Sequence, residues 1–189
     1  PDGSLLVTFN GEIFNYLELR QRLIGLGHQF ATRSDTEVIL HAYEQWGDAC
    51  VEHFNGQWAF AVWDRRNRRL FLSRDRLGVR PLYYIAGANR FLFASEVKAL
   101  AADPRVTLAL DGVGLNQVFT YWTTLAPRTV FQGIRELPPG HCLSIENGTV
   151  RSWRYWQLEY QPDARFDEQS ATDELLALLS DAVKLRLRS

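Results

Sequence analysis

The chain has 189 residues, of which 46% are hydrophobic and 13% aromatic, so it can bury the core of an ordinary globular domain. Its formal charge of -1 gives no bulk attraction to nucleic acid or to a membrane surface, and we expect neither as a partner. No apolar run approaches the ~18 residues of a membrane span, and no signal peptide is visible. The two cysteines, Cys50 and Cys142, form neither a disulfide framework nor a zinc motif, so we expect no metal here and a cytoplasmic location.

Both ends of the chain are typical of a piece of a longer protein. The sequence contains no methionine, and residues 1–4 form a turn that leads directly into a strand. Residues 173–189 carry leucines at helical spacing, Ser170 is a suitable N-cap, and no glycine or proline ends the pattern. We therefore expect further chain before Pro1 and after Ser189.

The first strand runs from Leu5 into the turn pair Asn10-Gly11, and Glu12 follows. The turn brings together a side-chain amide, an unshielded backbone N–H and a carboxylate. Two neutral donors can hold an oxyanion, and a neighbouring carboxylate can hold an ammonium group. The segment therefore predicts a site for an amino-acid amide, with an ordinary strand-to-helix turn as the alternative.

Helical patterns and a short strand follow this turn. Asn15 is a good N-cap, Gly27 and Gly47 are natural helix ends, and Ser34 or Asp35 can cap the second helix. In the structural interpretation, Asp35 and Glu37 are acidic residues that the helix dipole stabilises at the N-terminus of the second helix. In the functional interpretation, Asp35 turns toward a ligand ammonium together with Glu12. The predicted elements are helices at residues 16–26 and 50–54, a helix after Ser34 or Asp35 through residues 37–46, and a strand at residues 28–32.

A series of short strands comes next. Residues 58–64 form a continuous apolar run, which is typical of a strand buried on both faces. The remaining pattern predicts strands at 70–73, 82–86, 91–94, 140–145 and 149–156, helices at 96–101 and 111–121, and a linker at 162–170. Turns at 65–69, 87–90 and Asn147-Gly148 join neighbouring strands. Helices around a meander of buried strands indicate a layered α+β fold.

Three further groups have ordinary structural interpretations that we favour. Residues 73–83, rich in alternating charge, indicate a salt-bridged turn that shapes the rim of a site, and residues 65–69 indicate a solvated hairpin tip. Cys50 and His53 could share a helix face as a nucleophile pair, but a cysteine among apolar neighbours is more often packed in a core. His141 and Cys142 are adjacent on a strand, so their side chains point to opposite faces.

Taken together, these segments resemble the glutamine-hydrolysing domain of asparagine synthetases, a class II glutamine amidotransferase of the N-terminal-nucleophile type. Residues 10–15 (NGEIFN), 34–39 (SDTEVI), 55–61 (NGQWAFA) and 74–83 (RDRLGVRPLY) resemble four motifs of that domain. Two further segments, 94–100 (ASEVKAL) and 137–141 (LPPGH), are similar to pieces of asparagine synthetases in particular. The resemblance covers essentially the whole chain.

The resemblance implies a four-layer αββα sandwich of two antiparallel sheets. It also implies that an N-terminal cysteine attacks the side-chain amide of glutamine with its own α-amino group as base. Asn10 and Gly11 would then hold the oxyanion, and Glu12 and Asp35 would hold the α-ammonium of the substrate. Ammonia would pass to a second site, where ATP and Mg²⁺ activate aspartate.

The chain departs from the family pattern in three places. It has neither the N-terminal cysteine, nor the upstream arginine for the glutamine carboxylate, nor the pyrophosphate loop of the synthetase part. We therefore expect an amidotransferase domain at residues 1–161, and at 162–189 a linker with the first helix of a synthetase domain. The 189 residues alone should bind no cofactor and hydrolyse no glutamine, and the resemblance implies a homodimer.

Two alternatives remain open at this point. The domain could be a non-catalytic scaffold, as in relatives that form β-lactams, keep the fold and lack the nucleophile. It could also be an amidotransferase with a different ammonia acceptor. The joint presence of Asn10, Gly11, Glu12 and Asp35 favours the enzyme, because a scaffold has no need of all four.

Overall fold

Two antiparallel sheets organise the chain. The computed structural model describes residues 3–87, 90–162 and 167–188. The first sheet has the strand order β1-β2-β3-β7-β8 and the second β5-β4-β6. The strands are β1 Leu5–Ile13, β2 Gly56–Asp64, β3 Arg69–Arg74, β4 Tyr83–Gly87, β5 Arg90–Ala94, β6 Arg135–Glu136, β7 His141–Glu146 and β8 Thr149–Arg154. The helices are α1 Tyr16–Gly25, α2 Asp35–Trp46, α3 Val97–Leu100, α4 Gly112–Tyr121 and α5 Glu168–Arg186, with a 3₁₀ helix at Gly47–His53.

The core lies on both faces of the first sheet, and β2 shows why. Trp58, Phe60 and Val62 pack on one face with residues of α1 and α2, and Ala59 and Ala61 pack on the other face against the second sheet. The continuous apolar run of β2 thus serves two layers at once, as the sequence predicted. The α+β fold with two antiparallel sheets is confirmed, and α3 contacts β5, the strand that precedes it.

A buried carboxylate organises the turn after β3. The Asp75 carboxylate, 1% exposed, accepts backbone N–H groups from both sides. Its Oδ1 accepts from Leu77 and Val79 at 3.1 and 3.0 Å, and its Oδ2 accepts from Arg80 and Trp58 at 2.9 and 3.2 Å. One buried carboxylate therefore accepts hydrogen bonds from four backbone N–H groups, three in the turn and one in β2, and joins the turn to that strand.

Arg74, the residue before Asp75, binds the same turn through its guanidinium. Its guanidinium pairs with Glu136 at 2.7 Å and donates to the carbonyl oxygens of Leu137, Gly78 and Arg80 at 2.7 to 2.9 Å. The predicted salt-bridged turn is confirmed here, but its charges are buried, and they join β3 to β6.

The strand predicted at residues 28–32 is wrong. No strand forms there in the described chain, because the backbone N–H groups of Ala31 and Thr32 donate to the Glu37 carboxylate at 2.7 and 2.6 Å. A side chain of α2 thus replaces the partner strand that the sequence pattern required.

Two predicted helix caps are also wrong. Asn15 stands at the N-cap position of α1 but makes no cap bond; its side chain instead bonds His53 O and Asn55 N, both at 2.9 Å. Helix α5 begins at Glu168 rather than 173, because Asp167 caps it by accepting from the Ser170 N–H at 2.9 Å. Residues 163–166 of the predicted linker, 88–89 of the predicted turn and 1–2 lie outside the described residues.

The turn predicted at Asn10-Gly11 is wrong, because β1 continues through both residues to Ile13 and pairs them with Ala59 and Trp58 of β2. The other predicted elements are present with small shifts at their ends. Ser34 caps α2, as expected, by accepting from the Thr36 N–H at 3.1 Å. The Asn147-Gly148 turn joins β7 to β8 with positive φ at both residues, 49° and 77°, as a two-residue hairpin turn requires. In the described part of the chain, no helix is both long and apolar enough to cross a bilayer.

Two glycines allow β1 and β2 to approach closely. A Cβ on Gly11 would lie 2.1 Å from the carbonyl oxygen of Gln57, and a Cβ on Gly56 would lie 2.2 Å from that of Glu12. Gly11 also has a φ of +152°. Both contacts are with backbone, so a side chain could be accommodated only if the strands moved apart.

Gly56→Ala should lower the free energy of unfolding by about 2–3 kcal/mol, because its methyl group would overlap backbone rather than a mobile side chain. Gly25→Ala is the matched control, since nothing lies within 4 Å of a Cβ there. We expect that helical substitution to raise stability by up to about 1 kcal/mol. Urea unfolding of the parent chain and the two variants measures both changes in the free energy of unfolding. A Gly56→Ala variant as stable as the Gly25→Ala variant would contradict the close approach of β1 and β2.

Candidate functional site

A hollow lies between the end of β1 and the start of α2. Its volume is about 300 Å³, and it is lined by Gly11, Glu12, Tyr16, Arg33, Ser34 and Asp35. Three of the four residues singled out in the sequence therefore meet around one space, although Asp35 is 23 residues further along the chain than Glu12. Two carboxylates at one opening suit a cationic group.

A direct hydrogen bond joins the two elements that form this hollow. The Ile13 N–H donates to Asp35 Oδ2 at 3.1 Å. β1 is the outer strand of its sheet in the described chain and pairs with β2 alone. The Asp35 carboxylate thus binds the outer edge of β1, at the place where another strand would otherwise pair.

The pairing of β1 with β2 fixes the direction of the Gly11 N–H. Trp58 lies opposite Gly11, and both backbone groups of Trp58 are engaged with Asp75, at 3.2 Å through its N–H and 2.8 Å through its carbonyl. Because facing residues alternate between bonded and non-bonded pairs, Gly11 and Trp58 form a non-bonded pair. The Gly11 N–H therefore points away from β2, toward the outer edge, on the same side as that of Ile13.

Asn10 lines a neighbouring hollow rather than the one described above. That hollow, of about 130 Å³, lies between the two sheets and includes Ala59, Leu82 and Ser95 in its wall. The Asn10 side-chain amide donates to Ser95 Oγ at 3.1 Å. An amide NH₂ has two N–H donors, so this bond orients the group and leaves the second donor for another acceptor.

The Asp35 carboxylate keeps one oxygen toward polar neighbours. The hydroxyl groups of Ser34 and Thr36 both lie 3.4 Å from its Oδ1. Asp35 is the first residue of α2, where the helix dipole favours a negative charge. Among the described contacts, Asp35 has no ion pair with a lysine or arginine. Its position at the start of α2 explains how its carboxylate can lie at the rim of the hollow without one.

Glu37 holds the loop that forms one wall of the hollow. Besides the N–H groups of Ala31 and Thr32, its carboxylate accepts from the Thr32 hydroxyl at 2.5 Å. Burial raises the pKa of Glu37, but the hydrogen bonds from Thr32 and Ala31 outweigh it, and with His41 nearby they bring the pKa to about 2. Glu37 is therefore ionised at neutral pH and fixes the course of residues 31–35.

Neither cysteine is placed to act as a nucleophile at this hollow. Cys50 and Cys142 are both fully buried. Burial raises the pKa of Cys50 well above its usual value and that of Cys142 to about 12. His53 does not pair with Cys50, since its Nδ1 lies 3.4 Å from the Arg22 guanidinium and its ring packs on Trp46 at 4.1 Å. The packing interpretation of Cys50 agrees with this geometry.

A larger hollow of about 480 Å³ lies near the start of α4, but its chemistry is different. Its acidic group, Asp111, accepts from the Gly114 N–H at 2.7 Å and from the Arg128 guanidinium at 2.8 Å. The carboxylate is thus already occupied by a helix cap and an ion pair. We therefore place the candidate site at Gly11, Glu12 and Asp35 on chemical grounds rather than by volume.

Comparison with known proteins identifies the family of the domain. The sequence model of the glutamine amidotransferase domain matches residues 1–156. The chain belongs to this family of class II glutamine amidotransferase domains. The NGE segment of β1 and the SDTE start of α2 both lie within the matched range.

Asparagine synthetases are among the curated relatives. Asparagine synthetase 3 of Bacillus subtilis is 42% identical over 185 residues, covering 97% of this chain and 30% of that protein. Asparagine synthetase 1 of the same organism is 30% identical over 189 residues, covering 100% of this chain and 30% of that protein. The chain thus spans about 30% of the length of these relatives.

A solved structure supports the fold. The glutamine phosphoribosylpyrophosphate amidotransferase of B. subtilis superposes with a TM-score of 0.60 at 24% identity, over 83% of this chain and 30% of that one. The predicted fold of the N-terminal-nucleophile amidotransferases is thereby confirmed.

Sequence reasoning missed three residues around the site. Tyr16 and Arg33 line the main hollow, and Ser95 orients Asn10. Tyr16 belongs to the predicted helical pattern, Ser95 lies in the segment 94–100 that gave a resemblance but no role, and Arg33 stands outside every motif. Only their position relative to β1 identifies them, and that position is a tertiary feature.

Glu37→Gln should lower the free energy of unfolding at pH 7 by about 2 kcal/mol, because an amide replaces a charged acceptor of three hydrogen bonds. The folded pKa lies below the ordinary value of 4.5, so this stabilisation is present above about pH 4.5 and is lost as the pH falls toward 2. Urea unfolding across that range should show the two proteins converging in acid.

Glu52→Gln, at an exposed position of the 3₁₀ helix, is the control and should leave stability and its pH dependence unchanged. A Glu37→Gln variant that stays parallel to the parent protein down to pH 2 would contradict the assigned role.

Proposed function

We propose that this chain is the glutamine-hydrolysing part of an asparagine synthetase, a ligase that uses the released ammonia to amidate aspartate with ATP. Two observations support the proposal: the family membership of residues 1–156, and the identity of up to 42% to asparagine synthetases over nearly the whole chain. Aspartate, ATP and Mg²⁺ would bind in a part of the protein beyond these residues. The two free thiols suit a cytoplasmic location.

The observation that carries the proposal is the meeting of Gly11, Glu12 and Asp35 around one hollow. The α-ammonium of glutamine would lie between the two carboxylates of Glu12 and Asp35. One Asp35 oxygen already accepts from Ile13, so the other would accept from the ligand. This pairing selects a free amino acid over a simple amide, because an amide without the ammonium would leave both charges unpaired.

The amide end of glutamine would extend toward the edge of β1. There the outward-facing Gly11 N–H and the second N–H of the Asn10 side chain would donate to the oxyanion of the tetrahedral intermediate. Donors of this kind stabilise the transition state because they are fixed before the charge develops, and losing one costs about 3–4 kcal/mol in comparable sites. Ser95 would act as a positioning residue, since its hydroxyl orients the Asn10 amide.

The segment from residue 162 onward would begin the synthetase part. Helix α5 carries Leu175, Leu176, Leu178, Leu179 and Val183, all between 55 and 64% exposed. Such a row suits packing against a further domain. Near its C-terminal end α5 meets the amidotransferase part, where the Arg186 guanidinium lies 4.7 Å from the Phe14 ring and Arg188 pairs with Glu18.

The 189-residue chain by itself should release no ammonia from glutamine, because both of its thiols are buried with raised pKa values. A glutaminase assay on the purified chain checks this. Ammonia release that Cys50→Ala or Cys142→Ala abolishes would show that the nucleophile is one of these two residues, contrary to the proposal.

The same chain should still bind glutamine weakly, in the millimolar range, through Glu12 and Asp35. Glu12→Gln and Asp35→Asn should each weaken binding at least tenfold, which corresponds to about 1.4 kcal/mol. Ligand-detected NMR titration with glutamine measures the affinity, with Glu52→Gln as a matched control that removes a distant carboxylate.

Equal glutamine affinities in the parent chain and both site variants would contradict the assignment of the ammonium site. No binding by the parent chain at any glutamine concentration would favour the scaffold alternative instead.

A further inference from the structure

A second cluster of ionisable side chains lies on α2, one helical turn beyond Glu37. It consists of His28, from the loop after α1, together with His41 and Glu44 of α2. The cluster opens onto a separate hollow of about 500 Å³, lined also by Leu26, Gly27, Gln29 and Gln45. The glutamine site does not use any of these residues.

Three lone-pair atoms converge within this cluster. His28 Nδ1 and His41 Nδ1 lie 3.2 Å apart, and each lies 3.4 Å from Glu44 Oε2. The three atoms therefore form a nearly equilateral triangle, with two imidazole nitrogens and one carboxylate oxygen at its corners.

The outer nitrogens of both rings face oxygen acceptors. His28 Nε2 lies 2.9 Å from Gln45 Oε1, and the buried His41 Nε2 has Glu37 Oε1 at 3.6 Å as its facing acceptor. In the Nε2–H tautomer of each ring, the two Nδ1 atoms carry lone pairs that point toward each other and toward Glu44.

A cation at the centre of the triangle would lie within reach of all three atoms. In a tetrahedral Zn²⁺ site with bonds of about 2.0–2.1 Å, neighbouring ligand atoms are about 3.3–3.4 Å apart. Octahedral bonds at right angles, of about 2.1–2.2 Å, would bring them to about 3.0–3.1 Å. The distances of 3.2, 3.4 and 3.4 Å fit the tetrahedral case better.

We propose that His28, His41 and Glu44 form a Zn²⁺ site, with the fourth position open to water from the hollow. Two histidines and one glutamate with an open position are a donor set that zinc uses in proteins. Gln45 lies within hydrogen-bond distance of the outer nitrogen of His28 at 2.9 Å, and the Glu37 carboxylate faces that of His41 at 3.6 Å, in the positions where metal-bound histidines usually have an oxygen acceptor. The histidine side chains are 12% and 5% exposed, whereas Glu44 is 49% exposed, so the ion enters from the Glu44 side.

The site would fasten the loop after α1 to helix α2. His28 stands at the start of that loop, and Glu37 holds its middle at Ala31 and Thr32. The far end of the loop carries Arg33, Ser34 and Asp35 of the glutamine hollow. The ion would therefore stabilise the element that forms one wall of that hollow, whether or not the proposed reaction takes place there.

Titration of the 189-residue chain with Co²⁺, followed by Zn²⁺ competition, tests the proposal. We expect one equivalent of Co²⁺ to bind with the intense visible bands of a tetrahedral complex, and Zn²⁺ to displace it and raise the melting temperature. His28→Ala and Glu44→Gln should each weaken binding at least about 100-fold, and Gln45→Leu about 10- to 100-fold.

His53→Ala and His141→Ala are the matched controls, because they remove the two histidines outside the cluster. Both should bind Co²⁺ as the parent chain does. Circular dichroism checks that each variant is folded. Because Glu44 is exposed, Glu44→Gln removes a ligand without disturbing the packing of the core.

Two results would overturn the proposal. Binding that His28→Ala and Glu44→Gln leave unchanged would place the metal elsewhere. Absence of tetrahedral Co²⁺ bands in the folded parent chain at neutral pH would show that the cluster holds no metal ion in this geometry.

Discussion

The outer edge of β1 is the constraint on which the candidate site depends. In the described chain β1 pairs only with β2, so the N–H groups of Gly11 and Ile13 point outward without a partner strand. Asp35 takes the Ile13 N–H at 3.1 Å, which fixes the start of α2 against this edge. The Gly11 N–H faces the same edge, and Gly11 lines the hollow together with Glu12 and Asp35.

The rest of the fold keeps this edge in place. Gly11 and Gly56 let β1 and β2 approach to a distance that no side chain would permit. On the other side of β2, the Asp75 carboxylate holds Trp58 and the turn after β3. The close backbone contacts at Gly11 and Gly56 hold β1 against one edge of β2, and the Asp75 carboxylate holds the other edge of β2. Together these two contacts fix the positions of Asn10, Gly11 and Glu12.

Local pattern was sufficient for most elements but not for contacts between them. The apolar run at β2, the cap at Ser34 and the Asn147-Gly148 turn could be predicted because each depends on neighbouring residues. The strand expected at residues 28–32 fails because Glu37, a residue outside that segment, takes its backbone donors. The bond from Asn10 to Ser95 spans 85 residues, and the histidine cluster joins two elements through their fold; no local pattern contains either contact.

The central claim is that Glu12 and Asp35 hold the ammonium group of glutamine while its amide lies at the edge of β1. A structure of the chain with bound glutamine tests it most directly. The account predicts the α-nitrogen within about 2.6–3.2 Å of both carboxylates and the amide oxygen beside the Gly11 N–H. Glutamine bound with its ammonium group in solvent, or in a hollow away from Gly11, would contradict the account.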